Sequence, residues 1–330
     1  KIAEKNAFCN YSFFIGATKN NFNQLSNLEL LKGCCGVKIF MGSSTGDLLV
    51  DDDESLIKVF SSVNRRVAIH SEDEFRLAKR KKILEEKNVS IFDHPIWRDE
   101  KAAISSTNRL IKIANNLKKK MHILHISTAD EIEIIKKHKK YITCEVTPQH
   151  LFFSSPQCYE KLGSLSQMNP PIRNKIHQNG LWKGISKKIV DVIGSDHAPH
   201  TMEEKLAPYP NSPSGMAGVQ TVLPIMLDFV NKGKLSIFDV TRLLSTNPCR
   251  IYNVKNKGLI KIGYDADLTV IDLKKKFTIT NNWIKSKCQW TPYDQIKITG
   301  LPVFTIINGK IVMNDNEIIS KPQGRRVEFN

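Results

Sequence analysis

Short apolar runs alternate with longer segments of helical periodicity along most of the chain. Six apolar runs have the length of buried strands, at 12–16, 37–40, 67–69, 121–124, 141–146 and 190–193. Segments with apolar residues three or four positions apart predict helices at about 51–63, 73–86, 99–117, 129–138, 175–187, 217–231 and 237–245. Strands that alternate with helices in this way predict βα units and a parallel sheet.

The pattern changes after Pro248. The runs 258–263 and 266–271 predict short antiparallel strands, and 303–307 with 310–313 predict a hairpin. The pair Asn308-Gly309 between these two runs favours a type I′ turn. We therefore predict an α/β barrel over residues 1–254 and the C-terminal part of a small β-sandwich domain over residues 255–330.

Composition narrows the class of protein. Of the 330 residues, 41% are hydrophobic and 25% are charged, which is typical of a globular protein and excludes disordered, collagen-like and disulfide-scaffold chains. The net charge is +16, yet no aromatic residues interleave with the basic clusters at 79–82 and 118–120, so nucleic-acid binding is the weakest alternative. The seven cysteines contain no C-x-x-C pair, which predicts a reducing, cytoplasmic location.

Three predicted strands run into potential metal ligands. The run at 67–69 leads into His70, the run at 121–124 leads into His125, and the run at 190–193 is followed by Asp196. In a (β/α)₈ barrel the active site lies at the C-terminal ends of the strands. Imidazole and carboxylate ligands without thiolate suit a catalytic Zn²⁺ site. A single histidine at a strand end more often has a structural role. Potential ligands at the ends of three strands favour a metal site. His122, inside its strand, is predicted to point into the helix layer.

Lys38 lies within an apolar strand. Alternation places it on the face opposite Val37 and Ile39. The residues alone leave two readings open. The simpler is a lysine that reaches out of the barrel mouth or pairs with a carboxylate. The other is a lysine inside the barrel that carries a carbamate and bridges two cations.

Six motifs in order resemble those of one enzyme family. They are Gly36-Val37-Lys38-Ile39-Phe40-Met41-Gly42-Ser43-Ser44-Thr45-Gly46, Ala68-Ile69-His70-Ser71-Glu72, His122-Ile123-Leu124-His125-Ile126-Ser127-Thr128, Glu145-Val146-Thr147-Pro148-Gln149-His150, Met168-Asn169-Pro170-Pro171-Ile172-Arg173 and Ser195-Asp196-His197-Ala198-Pro199-His200. The chain resembles the class I dihydroorotases, cyclic amidohydrolases, over essentially its whole length. The resemblance implies a (β/α)₈ metal-dependent hydrolase barrel with a small β-sandwich. It also implies reversible cyclisation of N-carbamoyl-L-aspartate to dihydroorotate in pyrimidine biosynthesis.

The resemblance also implies roles for individual residues. Lys38 would be the carboxylated bridging ligand of two Zn²⁺ ions, and His70 and His125 would bind the second ion. Asp196 would bind the first ion and shuttle the proton. The substrate would be held by Asn169, His200 and the backbone of Ser214 and Gly215. The loop at 42–47 would line the site.

One part of the family pattern is missing. The family has a His-x-His pair and an arginine at the first barrel strand, and an asparagine at the second. No histidine precedes His70 here and no arginine precedes Arg65. We therefore expect the first two barrel strands to lie outside this chain. We also expect residues 1–330 alone to be poorly soluble and inactive, because six strands cannot close an eight-stranded barrel.

Two other functions remain as alternatives. One is a related cyclic amidohydrolase, a hydantoinase or allantoinase; the string at 196–200, together with Asn169-Pro170-Pro171, favours dihydroorotase. The other is a non-catalytic dihydroorotase-like subunit that scaffolds aspartate transcarbamoylase. The expected partners are the small-molecule substrate, further copies of the chain and aspartate transcarbamoylase, with neither nucleic acid nor membrane.

Overall fold

A parallel sheet forms the centre of the computed structural model, which describes residues 1–42 and 48–330. Its six strands pair in chain order and confirm all six predicted strands. They are β1 (Phe13–Gly16), β2 (Cys34–Phe40), β3 (Val67–His70), β4 (Met121–Ile123), β5 (Ile142–Val146) and β6 (Val192–Ile193).

Helices connect and cover these strands. In the described residues they are α1 (Ile2–Asn6), α2 (Phe22–Leu28), α3 (Asp53–Ser62), α4 (Glu74–Arg80), α5 (His94–Trp97), α6 (Glu100–Leu117), α7 (Ala129–Lys136), α8 (Pro148–Phe152), α9 (Gln157–Leu162), α10 (Lys175–Ser186), α11 (Met202–Lys205), α12 (Val222–Asn231), α13 (Ile237–Thr241) and α14 (Asn247–Ile251). A π-helical turn at Arg242–Thr246 joins the last two. Side-chain caps start several of them; Asp99, as predicted, accepts a hydrogen bond from the Ala102 N–H at the start of α6.

Strand register decides which side chains face the barrel interior. Lys38, Ala68, His122 and Thr143 are successive partners across β2–β5, and paired residues project to the same face of a sheet. The alternate positions pack against the helices. The prediction that His122 points into the helix layer is therefore wrong. The prediction assumed that alternation continues along the strand from His122 to His125. The strand ends at Ile123, so His125 does not indicate which way His122 points.

A second sheet lies after residue 267. It is antiparallel, in the order β10-β9-β8-β7, with β7 at Leu268–Thr278, β8 at Lys297–Ile307, β9 at Lys310–Asn314 and β10 at Glu317–Ile318. The hairpin between β8 and β9 is confirmed, and both turn residues have positive φ (Asn308 52°, Gly309 77°), as type I′ requires.

The predicted strand at 258–263 is wrong. These residues form bends and turns, with Ile260 92% and Ile262 101% exposed. Lys257 instead donates to Asp265 at 2.8 Å, so side-chain contacts hold this segment as a loop. An alternating apolar pattern makes a strand only where a neighbouring strand pairs with it.

The second sheet packs directly on the barrel. Ile279, Tyr293, Ile298 and Leu301 belong to the same buried apolar cluster as the barrel strands. Asn231 at the end of α12 donates to the carbonyls of Leu273 at 3.0 Å and Thr299 at 2.9 Å. The boundary at residue 254 stays a prediction, since one apolar core extends across it. In the described residues, no helix is both long enough and apolar enough to cross a membrane.

Candidate active site

Three barrel strands, with the loops that follow them, place His70, His125 and Asp196 at the same end of the sheet. His70 is the last residue of β3, while His125 and Asp196 follow β4 and β6 by a few residues. His125 and Asp196 have positive φ angles, 37° and 41°. Positive φ is uncommon for residues other than glycine and occurs often at functional sites.

The two histidines form a buried pair. His70 Nδ1 lies 3.1 Å from His125 Nε2, and His70 Nε2 lies 2.9 Å from the Glu72 carboxylate. Glu72 in turn accepts from Arg98 Nε at 3.1 Å. Burial lowers the pKa of His70, and it lowers the pKa of His125 well below the usual value. Both imidazoles are therefore neutral near pH 7, which is the form that binds a metal.

The histidine pair fits two ligands of a divalent cation. Tetrahedral Zn–N bonds of ~2.0–2.1 Å separate two ligand nitrogens by ~3.3 Å, close to the spacing seen here. The Glu72 carboxylate lies against the other nitrogen of His70, an arrangement that orients zinc-binding histidines in other proteins. His125 Nδ1 is buried without a hydrogen-bond partner. The described residues contain no group of three or more His, Cys, Asp or Glu that would form a metal cage by itself.

Lys38 and Asp196 form the second part of the site. Burial lowers the pKa of Lys38 to about 8, although the carboxylates of Asp196 and Glu145 oppose this shift. Burial raises the pKa of Asp196 to about 6, against the effect of Lys38 and with that of Glu145. The ammonium of Lys38 also lies 4.4 Å from the centre of the Phe40 ring. The structure thus gathers one cation and two carboxylates inside the barrel.

Glu145 connects this group to a polar chain through the barrel interior. Its Oε2 lies 3.1 Å from His122 Nε2, and His122 Nδ1 lies 2.9 Å from Thr143 Oγ1. Thr143 Oγ1 also accepts from Arg66 Nη1 at 3.2 Å. Gly194 makes room for the carboxylate, because a Cβ at this position would lie 2.4 Å from Glu145 Oε1.

The residues assigned to substrate binding occupy the next loop. His200 Nε2 lies 3.2 Å from the Ser214 carbonyl, and the Gly215 N–H donates to the Gln167 carbonyl at 2.9 Å. Gly215 has φ 142°, and a Cβ there would lie 2.5 Å from the Ala198 carbonyl. The buried Lys205 donates to the carbonyls of Gln167 and Pro213, which fixes this loop.

Asn169 and the loop at 42–47 complete the set of predicted site residues. Asn169 Oδ1 is buried without a hydrogen-bond partner, so it is free to accept one from a ligand. Of the predicted loop, residues 43–47 lie outside the described residues. The assigned roles of Lys38, His70, His125, Asn169, Asp196, His200, Ser214 and Gly215 stay predictions.

Sequence reasoning missed the supporting charges. Glu72 could have been found from the sequence, since it lies two residues after the candidate ligand His70, and carboxylates commonly accept the second N–H of such histidines. Glu145 lies at an inward position of β5, which the register of the sheet reveals. Arg98 and Lys205, both 0% exposed, were missed because Arg98 pairs with Glu72, 26 residues away, and Lys205 donates to Gln167, 38 residues away.

Comparison with known proteins identifies the family. Residues 61–312 match the model of the amidohydrolase family. The chain is 37% identical over 291 residues to a dihydroorotase from Pyrococcus horikoshii, covering 88% of this chain and 63% of that protein. It is 32% identical over 320 residues to a dihydroorotase from Thermococcus kodakarensis, covering 94% and 72%. The chain thus spans slightly less than two thirds of the length of its Pyrococcus relatives.

Solved structures confirm the fold. An L-hydantoinase from Arthrobacter aurescens superposes with a TM-score of 0.92 at 23% identity, covering 98% of this chain and 74% of that one. A D-hydantoinase from a Thermus species gives 0.89 at 22% identity, covering 98% and 75%. The predicted barrel fold with an attached β-sandwich is confirmed, and the described residues of this chain supply six of its parallel strands. The chain belongs to the amidohydrolase family and, within it, to the group that contains the dihydroorotases.

Proposed function

We propose that this chain forms the larger part of a zinc-dependent dihydroorotase, which cyclises N-carbamoyl-L-aspartate reversibly to dihydroorotate in pyrimidine biosynthesis. The observation that carries the proposal is the buried His70–His125 pair, with nitrogens 3.1 Å apart, at the strand ends that also hold Asp196. A pair of neutral imidazoles, one of them held by the buried Glu72 carboxylate, suits metal-assisted hydrolysis of a cyclic amide.

The named relatives favour dihydroorotase over hydantoinase. The relatives at 32% and 37% identity are dihydroorotases, whereas the hydantoinases share only 22–23% identity. That second likeness concerns the fold alone. A hydantoinase-type activity therefore stands as the alternative.

Asp196 is the group we assign to proton transfer. In ring opening it accepts a proton from the attacking water and then gives that proton to the amide nitrogen as the ring C–N bond breaks. In the metal-free protein, burial raises its pKa to about 6. Two bound zinc ions would polarise the ring carbonyl and activate the water.

The other residues of the site would bind and orient. His70 and His125 would hold one zinc ion, and Lys38, carboxylated on Nζ, would supply a bridging anion. His200 would meet the substrate carboxylate, while Asn169 Oδ1 would accept a ring N–H. Ser214 and Gly215 would offer backbone groups on a loop that Lys205 fixes.

Location and partners are proposals as well. The seven cysteines are free thiols in the structure, which supports a reducing compartment such as the cytoplasm. We propose association with further copies of the chain and with aspartate transcarbamoylase. Gel filtration of the purified proteins, alone and mixed, tests both.

The test of function is turnover by the full-length protein with zinc. We expect ring opening of dihydroorotate and closure of N-carbamoyl-L-aspartate, and no comparable turnover of hydantoin or allantoin. Asp196→Asn should lower kcat by at least ~10²–10⁴-fold, the usual contribution of general acid–base catalysis. Asp130→Asn, an exposed change of the same type on α7, is the control. Faster turnover of hydantoin than of dihydroorotate would favour the alternative.

Carboxylation of Lys38 has its own test. A high-resolution electron-density map of the zinc-loaded protein should show a carbamate on Lys38 Nζ. An unmodified amine next to fully occupied metal sites would contradict the assignment. Mass spectrometry is unsuitable, because the carbamate loses carbon dioxide readily.

A further inference from the structure

The opposite face of the barrel contains a second polar cavity. It measures about 480 Å³ and opens at the N-terminal ends of the strands. Arg66, Lys120 and Asp191 line it just before β3, β4 and β6. The candidate active site lies at the C-terminal ends of the same strands, so the barrel separates the two. This volume lies in the range of small-molecule sites in proteins.

The charge of this cavity is strongly unbalanced. Six cationic side chains line it: Arg65, Arg66, Lys120, Lys139, Lys140 and Arg250. Asp191 is the one carboxylate side chain among its described lining residues, and it already pairs with Lys139 and accepts from the Cys144 N–H at 2.9 Å. The other five cations form no ion pair with a described carboxylate. Their summed field attracts anions into the concave surface.

Arg66 is held in place by hydrogen bonds to protein acceptors. Its Nε donates to the Ile251 carbonyl at 2.8 Å, and its Nη1 lies within reach of Thr143 Oγ1. These acceptors are neutral. Burial lowers the pKa of the guanidinium, although Tyr252 and the Asp191 carboxylate, which is already paired with Lys139, oppose this shift. A partly buried charge without a carboxylate partner is costly, and a bound anion would offset that cost. A guanidinium already fixed by the protein loses little entropy when it binds a phosphate.

We propose that this cavity binds a small anion that carries two or more phosphate groups. A polyphosphate chain matches several cations spread around one concave surface, because each phosphate offers charged oxygens to a separate donor. A carboxylate ligand would satisfy only one or two of them. The same chemistry occurs in inorganic polyphosphates and in nucleoside triphosphates. The site goes beyond the proposed dihydroorotase activity and does not depend on it.

The test uses isothermal titration calorimetry on the full-length protein, with tripolyphosphate as the probe. We expect one tripolyphosphate per chain, weaker binding of orthophosphate, and an affinity that falls as salt rises. Lys120→Gln/Lys140→Gln changes two exposed residues at the rim, so folding is preserved. This double variant should weaken tripolyphosphate binding at least tenfold.

The control is Lys81→Gln/Lys82→Gln, which removes the same charge from exposed positions that do not line the cavity. It should leave the affinity within twofold of the wild type. Equal weakening by both double variants would overturn the proposal, since binding would then reflect the net charge of +16. Absence of binding at 1 mM probe in about 50 mM salt would also overturn it. The affinity for ATP distinguishes the two kinds of ligand. If ATP binds at least tenfold more tightly than tripolyphosphate, the natural ligand is a nucleotide. If the two affinities are equal, the cavity recognises the polyphosphate group alone.

Discussion

Single residues set the chemical state of the candidate active site. Glu72 holds the Nε2 side of His70, which leaves the Nδ1 lone pair directed at His125. Burial keeps both imidazoles neutral by lowering their pKa values. The energetic cost of desolvating the imidazoles is therefore met during folding, and neutral imidazole is the form that a metal ion requires.

The first prediction concerns the histidine ligands. His70→Ala and His125→Ala should each lower the zinc content of the full-length protein by about one ion per chain, because each removes one nitrogen of a shared site. Metal analysis after dialysis against a weak chelator measures this. His138→Ala, on a helix-terminal segment outside the site, should retain the wild-type content. Unchanged zinc in both site variants would exclude them as ligands.

At the scale of secondary-structure elements, the C-terminal ends of barrel strands position the residues of the candidate active site. Three barrel strands deliver His70, His125 and Asp196, and short capped helices begin just beyond. The helix α6 is the longest in the described residues and covers the outside of the sheet. Its cap, Asp99, also accepts from Arg76 Nε at 2.7 Å, so one carboxylate joins α6 to α4.

The second prediction concerns this cap. Asp99→Ala should lower the free energy of unfolding by about 0.5–2 kcal/mol, the usual cost of losing an N-cap acceptor. Urea denaturation of the metal-free protein at pH 7 measures it. Asp99→Asn is the matched control, because asparagine caps helices as well as aspartate does but carries no charge. If Asp99→Asn is as unstable as Asp99→Ala, the ion pair with Arg76 outweighs the cap.

At the scale of the whole molecule, a buried ion pair joins two distant elements. Glu72 is 0% exposed, as is Arg98, and this pair joins the end of β3 to the segment before α6. The pKa of Glu72 is determined first by burial, which raises it, but Arg98 and His70 reverse this and hold it well below the ordinary value.

The third prediction follows from this direction of shift. A carboxyl whose folded-state pKa is depressed contributes stability that is complete above its unfolded value of ~4.3 and is lost as pH falls below it. Glu72→Gln should therefore destabilise the metal-free protein by about 3–5 kcal/mol at pH 7, and by less at pH 3.5. Urea unfolding at both pH values measures the difference.

The control for this experiment is Glu160→Gln, an exposed change of the same type on α9. It should shift stability by less than ~0.5 kcal/mol at either pH. A Glu72→Gln deficit that stays constant between pH 7 and pH 3.5 would contradict the prediction. It would mean that the Glu72 carboxylate is not what stabilises the pair.

The sequence by itself determined the local elements and the positions of the candidate ligands. The six parallel strands, the cap at Asp99 and the Asn308-Gly309 hairpin follow from periodicity and turn chemistry, which act over a few neighbouring residues. The motifs around Lys38, His70, His125 and Asp196 indicated the family, which the comparisons confirm. Their catalytic and metal-binding roles remain predictions.

Only the tertiary structure decided what depends on contacts between distant residues. It placed His122 inside the barrel, because the strand ends at Ile123 and alternation does not continue to His125. It left 258–263 without a partner strand. It also paired Glu72 with Arg98, and it gathered Arg66, Lys120 and Arg250 around one cavity. The physical reason is the same in each case: burial, pairing and electrostatic field depend on which segments meet in space, and local sequence patterns do not specify those meetings.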